Sequence, residues 1–241
     1  MSTAAIVVIG NEVLSGKVDD ENARYLIREL RALGVRLERI SVIRDDLAAI
    51  EREVREASAA HTHVFTSGGV GATHDDMTML GVARAFGVAL ERHPELVRLL
   101  EAHYRDRRTD TVMRMADVPA GTELLGLGEL LFPIVKVRNV HVFPGVPSYL
   151  RMKFEYLKPR LREKAIVLRQ IFVNVGESLI ADAMAEVQAA HPDVEIGSYP
   201  RFDTKEYRVK ITVESGDESA VDRAVAALAG RFEPAWIVRV E

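Results

Sequence analysis

The stretch Thr66-Ser67-Gly68-Gly69-Val70-Gly71-Ala72-Thr73-His74-Asp75-Asp76-Met77-Thr78 packs glycines, hydroxyls and two adjacent carboxylates into one short segment. Glycines let a backbone approach a ligand closely and turn N–H groups toward an anion, and a helix starting just beyond adds partial positive charge. A phosphate suits that chemistry. Asp75 and Asp76 would repel a phosphate directly, yet hard carboxylate oxygens beside one are what a divalent cation bridges. The segment therefore reads as a metal-assisted phosphate site; His74, the one histidine inside the loop, is a weaker candidate for a contact to phosphate or base. A plainer alternative is a tight turn with Asp75 or Asp76 capping the next helix. The spacing matches neither the dinucleotide fingerprint nor the lysine-ending phosphate loop.

A second loop, Gly10-Asn11-Glu12-Val13-Leu14-Ser15-Gly16, follows the first apolar run. Glu12 is a further candidate metal ligand or general base for water, with a solvated surface acid as the alternative. Asn22 either bonds a ligand or helps cap a helix, and Asp45 and Asp46 either reach the same crevice or cap a second helix. The histidines carry less: His61 and His63 flank a strand entry, His141 sits in a hairpin, and none has the paired spacing of a zinc protease. Arg105, Arg107 and Arg108 form a basic patch best read as a solvated face. Ser148 lacks the glycine-flanked setting of a hydrolase nucleophile.

The elements that must position these loops follow from periodicity. Ala4 to Ile9 is a short, β-branched, continuously apolar run, as expected of a strand buried on both faces of a parallel sheet. A helix with Asp19 and Asp20 at its start and Gly34 at its end leads to a strand near 35–43, a helix after Asp46, and a strand His63 to Thr66 running into the glycine loop. Helices follow over about 76–86 and from Pro94. Such alternation predicts an open, mostly parallel α/β sheet, whose strand carboxyl ends line a ligand crevice. From 109 the pattern is irregular up to a hairpin, 134–137 and 140–143, turning at Arg138-Asn139. Phe143-Pro144-Gly145-Val146-Pro147 breaks the chain before a basic helix to about 163.

The 241 residues suit two domains, with a boundary near 165, giving 1–165 and 166–241. The second reads as β-α-β-β-α-β, a ferredoxin-like α+β unit, with Tyr207, Val209, Ile211 and Val213 expected on one strand face. Lys+Arg of 32 against Asp+Glu of 36 gives net charge -4, which argues against broad nucleic-acid or membrane-surface affinity. The second domain carries the acidity, with 8 Lys+Arg against 13 Asp+Glu over 166–241. The chain has no cysteine, so disulfides, thiolate metal sites and cysteine nucleophiles are excluded. No leader or membrane span is read in the sequence, and a cytoplasmic location is expected.

Gly10 to Gly16 with Asn22 resembles the G-x-E-L-L-x-G and downstream Asn of a known family. Gly68 to Thr78 is similar to its G-G-x-G-P-T-x-D-D-x-T, and Phe143 to Pro147 to its L-P-G-V-P. The family is the molybdopterin-binding-like domain of molybdopterin adenylyltransferases, of the N-terminal part of competence/damage-inducible protein A, and of animal FAD synthases. The run Phe132 to Pro147 and Gly197-Ser198-Tyr199-Pro200 look closest to the FAD synthase branch.

The resemblance implies a three-layer α/β domain plus a small α+β domain, self-association as a dimer or trimer, and a crevice for a nucleotide or pterin. It carries over Gly10, Asn22, Ser67, Gly68, Gly69, Gly71, Thr73, Thr78, Pro144 and Gly145 as ligand residues, and Glu12, Asp75 and Asp76 as catalytic and metal residues. The implied cofactor is a divalent ion, Mg²⁺, Mn²⁺ or Co²⁺, with K⁺ as a further candidate. The leading expectation is a nucleotide pyrophosphatase that splits ADP-ribose or FAD to AMP. The alternatives are a molybdopterin-binding or adenylylating protein and a non-catalytic nucleotide-binding oligomer. Three departures stand out: Ala72 replaces the family's Pro, Tyr149 stands where many competence proteins have an acid, and the family's Asn and Ala-Pro-Gly before the hairpin are missing. The amidohydrolase and adenylyltransferase domains of longer relatives are not expected within this length.

Overall fold

The computed structural model describes residues 2–73 and 75–241, which form two compact units, Met1–Glu163 and Lys164–Glu241. The larger runs β1 (Thr3–Ile9), α1 (Asn11–Leu14), α2 (Glu21–Ala32), β2 (Arg36–Ile43), α3 (Leu47–Ala60), β3 (His63–Ser67) and α4 (Thr78–Phe86). It continues with β4 (Leu90–Arg92), α5 (Pro94–Tyr104), α6 (Asp110–Met113), β5 (Asp117–Pro119), β6 (Glu123–Leu125), β7 (Ile134–Val137), β8 (Val140–Phe143) and α7 (Pro147–Leu161).

Its main sheet has the order β2-β1-β3-β8-β7-β6. The first four strands are parallel, and β7 and β6 add an antiparallel edge. The continuous apolar run of β1 is explained by cores on both faces. Ile6, Phe65 and Phe143 pack with Leu26 of α2 and Phe154 of α7 on one side. Val7 and Val64 pack with Ile50 of α3, Val82 of α4 and Leu100 of α5 on the other. The expected three-layer, mostly parallel α/β fold is thus present. Asp20 caps α2 by accepting from the Asn22 and Ala23 N–H groups, and Asp46 caps α3 through Ala49.

The 109–133 stretch, read as irregular, contains α6 and two short strands; β5 pairs with β4 in a separate two-stranded sheet and β6 joins the main one. At the β7–β8 turn Arg138 takes a left-handed φ of 52°. The Asn139 amide fastens that turn to the end of α3, donating to Ser58 O at 3.0 Å and His61 O at 2.8 Å.

One polar side chain lies deep in the sheet. His141 of β8 is 3% exposed, stacked on Phe65 at 5.2 Å between centroids and 5.8 Å from His63. Burial, with help from the His63 and Lys136 charges, pushes its pKa down to about 4, and burial also lowers His63. The folded unit therefore holds His141 neutral while the unfolded chain, at the ordinary 6.5, takes up a proton. Stability is full above pH 6.5 and is lost as pH falls toward 4, by about 3 kcal/mol for His141 alone. Urea unfolding at pH 7.5 and pH 5 measures this. A His141→Phe variant is expected to show a flatter profile, and an equally steep one would mean other groups carry the acid sensitivity.

The smaller unit runs β9 (Val167–Val173), α8 (Ala181–Ala190), β10 (Glu195–Pro200), β11 (Val209–Ser215), α9 (Glu218–Ala229) and β12 (Ile237–Val240). It forms an antiparallel sheet of order β10-β11-β9-β12, with Ile171, Val209, Ile211 and Val213 packed beside Val187 of α8 and Leu228 of α9. The element order is the expected one. Tyr207 departs from its expected strand face: it precedes β11, and its ring lies edge-on to Phe172 at 4.8 Å. Among the described residues no helix is long and apolar enough to cross a membrane.

Candidate functional site

Three neighbouring parallel strands, β1, β3 and β8, deliver their following loops to one end of the sheet. These are the segments beginning at Gly10, Gly68 and Pro144. Asn22, at the start of α2, ties two of them together. Its Nδ2 donates to Ser67 Oγ at 2.8 Å and to Gly145 O at 2.7 Å, and the residue is only 5% exposed. A buried amide donor with two well-placed acceptors is worth more as a brace than as a surface contact. The β1 loop is held as well: Gly10 N–H donates to Ile43 O at 3.1 Å, and Asn11 N–H to Asp45 Oδ2 at 2.7 Å. Asp45 reaches the crevice and serves its backbone, while Asp46 caps.

The glycine loop is shaped by close approaches that exclude side chains. Gly68 has φ +101°, and a Cβ there would lie 2.0 Å from Ile9 O. Gly69 has φ +61°, and its Cβ would meet Thr78 Oγ1 at 2.4 Å. At Gly145 a Cβ would lie 3.4 Å from Gly68 Cα, so the β3 and β8 loops touch through glycine. Thr78 is fully buried; its Oγ1 donates to Gly68 O at 2.8 Å and its N–H to Gly69 O at 3.0 Å. Ser67 and Thr78 thus act as internal fasteners of the loop, with hydroxyls committed to protein partners.

Asp76 has a similar task. Its Oδ2 accepts from Thr73 N–H at 2.7 Å and Thr73 Oγ1 at 2.5 Å, and it leaves no room for a side chain at Gly71, where a Cβ would lie 2.6 Å away. Between these fasteners, the N–H groups of Gly69, Val70, Gly71 and Ala72 donate to no described residue. Glu12 is exposed on α1, with its carboxylate folded against Gly10. Asp75 is exposed, and His74 lies outside the described residues.

The expected three-carboxylate metal set is not preformed. Among the described residues no group of three or more His, Asp or Glu side chains could hold a metal ion. The reason is local: one Asp76 oxygen is spent on Thr73, and the Glu12 carboxylate turns back on its own loop.

Two residues outside the sequence motifs matter. Gly81 of α4 has Ile50 of α3 where a Cβ would sit, at 2.2 Å, so this glycine sets how closely the helix leaving the loop approaches its neighbour. Tyr25, one turn along α2 from Asn22, donates to Glu155 at 2.7 Å. Its pKa is raised by burial and by that bond. Lys158 bonds Glu155 and Glu29, clamping α2 to α7. A glycine in a helix and a long-range tyrosine bond give no local sequence signal.

A mostly parallel sheet with cores on both faces and glycine-bearing loops at its carboxyl end defines an α/β ligand-binding domain of crevice type. Residues 5–163 match the family described as the probable molybdopterin binding domain, and the chain belongs to that family. Residues 165–241 match the FAD synthase middle domain.

A probable FAD synthase of Caenorhabditis elegans is 32% identical over 254 residues, spanning 94% of this chain and 49% of that protein. The chain thus covers about half the length of this relative. A protein of Archaeoglobus fulgidus is 36% identical over 220 residues, 91% of this chain and 93% of its own length. Among solved structures, the protein CinA of Thermoplasma acidophilum aligns with TM-score 0.61 at 27% identity, over 66% of this chain and 98% of that one.

Proposed function

We propose that the larger unit binds a nucleotide-type diphosphate, such as ADP-ribose or FAD, and hydrolyses it to AMP and a second phosphate product. The observation that carries this reading is the run of N–H groups from Gly69 to Ala72 that have no described acceptor, in a loop pinned at Gly68, Thr73 and Thr78. Consecutive open amides make an anion-binding concavity, and they stabilise charge growing on phosphoryl oxygens without reorganising. The names of the relatives accord with it, because FAD and molybdopterin both join phosphate to a fused ring.

In hydrolysis, a water oxygen bonds to one phosphorus as that atom's bond to the bridging oxygen breaks. The departing phosphate keeps the electron pair, and the water proton passes to a carboxylate, with Glu12, Asp75 and Asp76 on the adjoining loops as candidates. A divalent ion held chiefly by the ligand's own phosphates, as Mg²⁺ commonly is, would supply charge neutralisation and needs no protein cage.

Incubation with ADP-ribose, FAD and NAD plus Mg²⁺, Mn²⁺ or Co²⁺ tests the reading, and AMP is the expected product. Folded protein that releases no AMP from any of them would sink the hydrolase assignment. The family description favours one other reading, binding of molybdopterin without cleavage. Tight molybdopterin binding with no AMP released would select it.

A further inference from the structure

Tyr149 occupies an unusual position for an aromatic side chain. It lies in the first turn of α7, its N–H donating to Val146 O at 3.1 Å, four residues beyond the Gly145 carbonyl that Asn22 grips. It is 55% exposed. Each of the other five tyrosines has a partner for its ring or hydroxyl: Tyr25 has Phe154 and Glu155, Tyr104 has His103, Tyr156 has Glu129 and Arg160, Tyr199 has Lys210, and Tyr207 has Phe172. The Tyr149 ring and hydroxyl have none among the described residues. Val146, before the same helix, is 50% exposed, and Leu14 and Val18 in the β1 loop are 49% and 51% exposed. The segments that carry these exposed apolar side chains follow β1 and β8, the strands on either side of β3, whose loop amides are open.

We propose that Tyr149 is the ring-recognising residue of this site, stacking on the planar heterocycle of a nucleotide-type ligand whose phosphates lie on the Gly69–Ala72 amides. The inference rests on the diphosphate reading above and adds to it what selects the organic half of the ligand. Open amides alone accept any polyphosphate, whereas an exposed ring rewards only a ligand that carries a π-face.

The test compares two ligands sharing diphosphate chemistry, ADP and inorganic pyrophosphate, by calorimetric titration of the full chain and its variants. Tyr149→Ala is expected to weaken ADP binding about tenfold or more, the scale of one base–aromatic stack, and to leave pyrophosphate binding unchanged. Tyr149→Trp is expected to restore ADP binding. Three results would overturn the inference while the diphosphate reading stands: wild-type protein binding ADP no tighter than pyrophosphate, ADP binding unaffected in Tyr149→Ala, or equal losses for both ligands. A wild-type chain that binds neither ligand overturns the diphosphate reading and this inference together.

Discussion

Gly68→Ala is expected to destabilise the larger unit by about 3–5 kcal/mol, combining a non-glycine residue forced into left-handed backbone with an overpacked contact. The added methyl would sit 2.0 Å from Ile9 O, so either β1 or the β3 loop must move. Neither has slack: β1 is buried between two cores, and the loop is bonded to Phe143 O through Gly68 N–H. Gly16→Ala is the control, because Gly16 has φ +70° with nothing within 4 Å of the Cβ position, and strain alone should cost about 1 kcal/mol. Urea unfolding of both variants separates the two effects. A Gly68→Ala protein as stable as Gly16→Ala would show that the close approach to Ile9 does not constrain the loop.

The second large effect concerns turnover. Asp76→Ala is expected to lower AMP release about 100-fold or more, the scale of losing a positioned proton acceptor, with a melting temperature close to wild type because the residue sits on a loop. Its two bonds to Thr73 complicate the reading, since the alanine variant loses both the charge and the turn. Asp76→Asn separates them: its amide oxygen still accepts from Thr73 while the charge is gone. Single-turnover AMP release on both variants decides the role. If Asp76→Asn cleaves as fast as wild type while Asp76→Ala does not, Asp76 shapes the loop and takes no part in the chemistry.

The fold was largely legible because its signals are local. The β-branched run of β1, the Asp20 and Asp46 caps and the glycine stop after α2 each act within one turn or strand. The Arg138-Asn139 hairpin is legible from the apolar strands on either side of it, although the reason Asn139 belongs there is its bonds to residues 78 and 81 positions away. Tyr207 falls outside the alternating pattern because alternation assigns a face only while the strand lasts, and β11 begins at Val209.

At the site, residue identity was legible and residue duty was not. Ser67, Thr78 and Asp76 were expected to face a ligand or metal, and each spends a side-chain oxygen on the protein. Asn22 reaches Gly145 across 123 positions, a pairing no spacing rule contains. A motif shows which atoms a loop needs, while partners distant in the chain decide which of those atoms remain open.

Because the open groups of the β3 loop are main-chain amides, they depend on the loop's shape and not on side-chain identity, except where a proline would remove the N–H. A substitution at Val70 would therefore keep the amide that this residue contributes, whereas position 72 is different: the family's proline has no N–H to offer there, so Ala72 gives this chain a donor that the family's motif lacks. New ligand preferences in such a protein would arise by altering the rim, at positions such as Tyr149, without rebuilding the anion cradle.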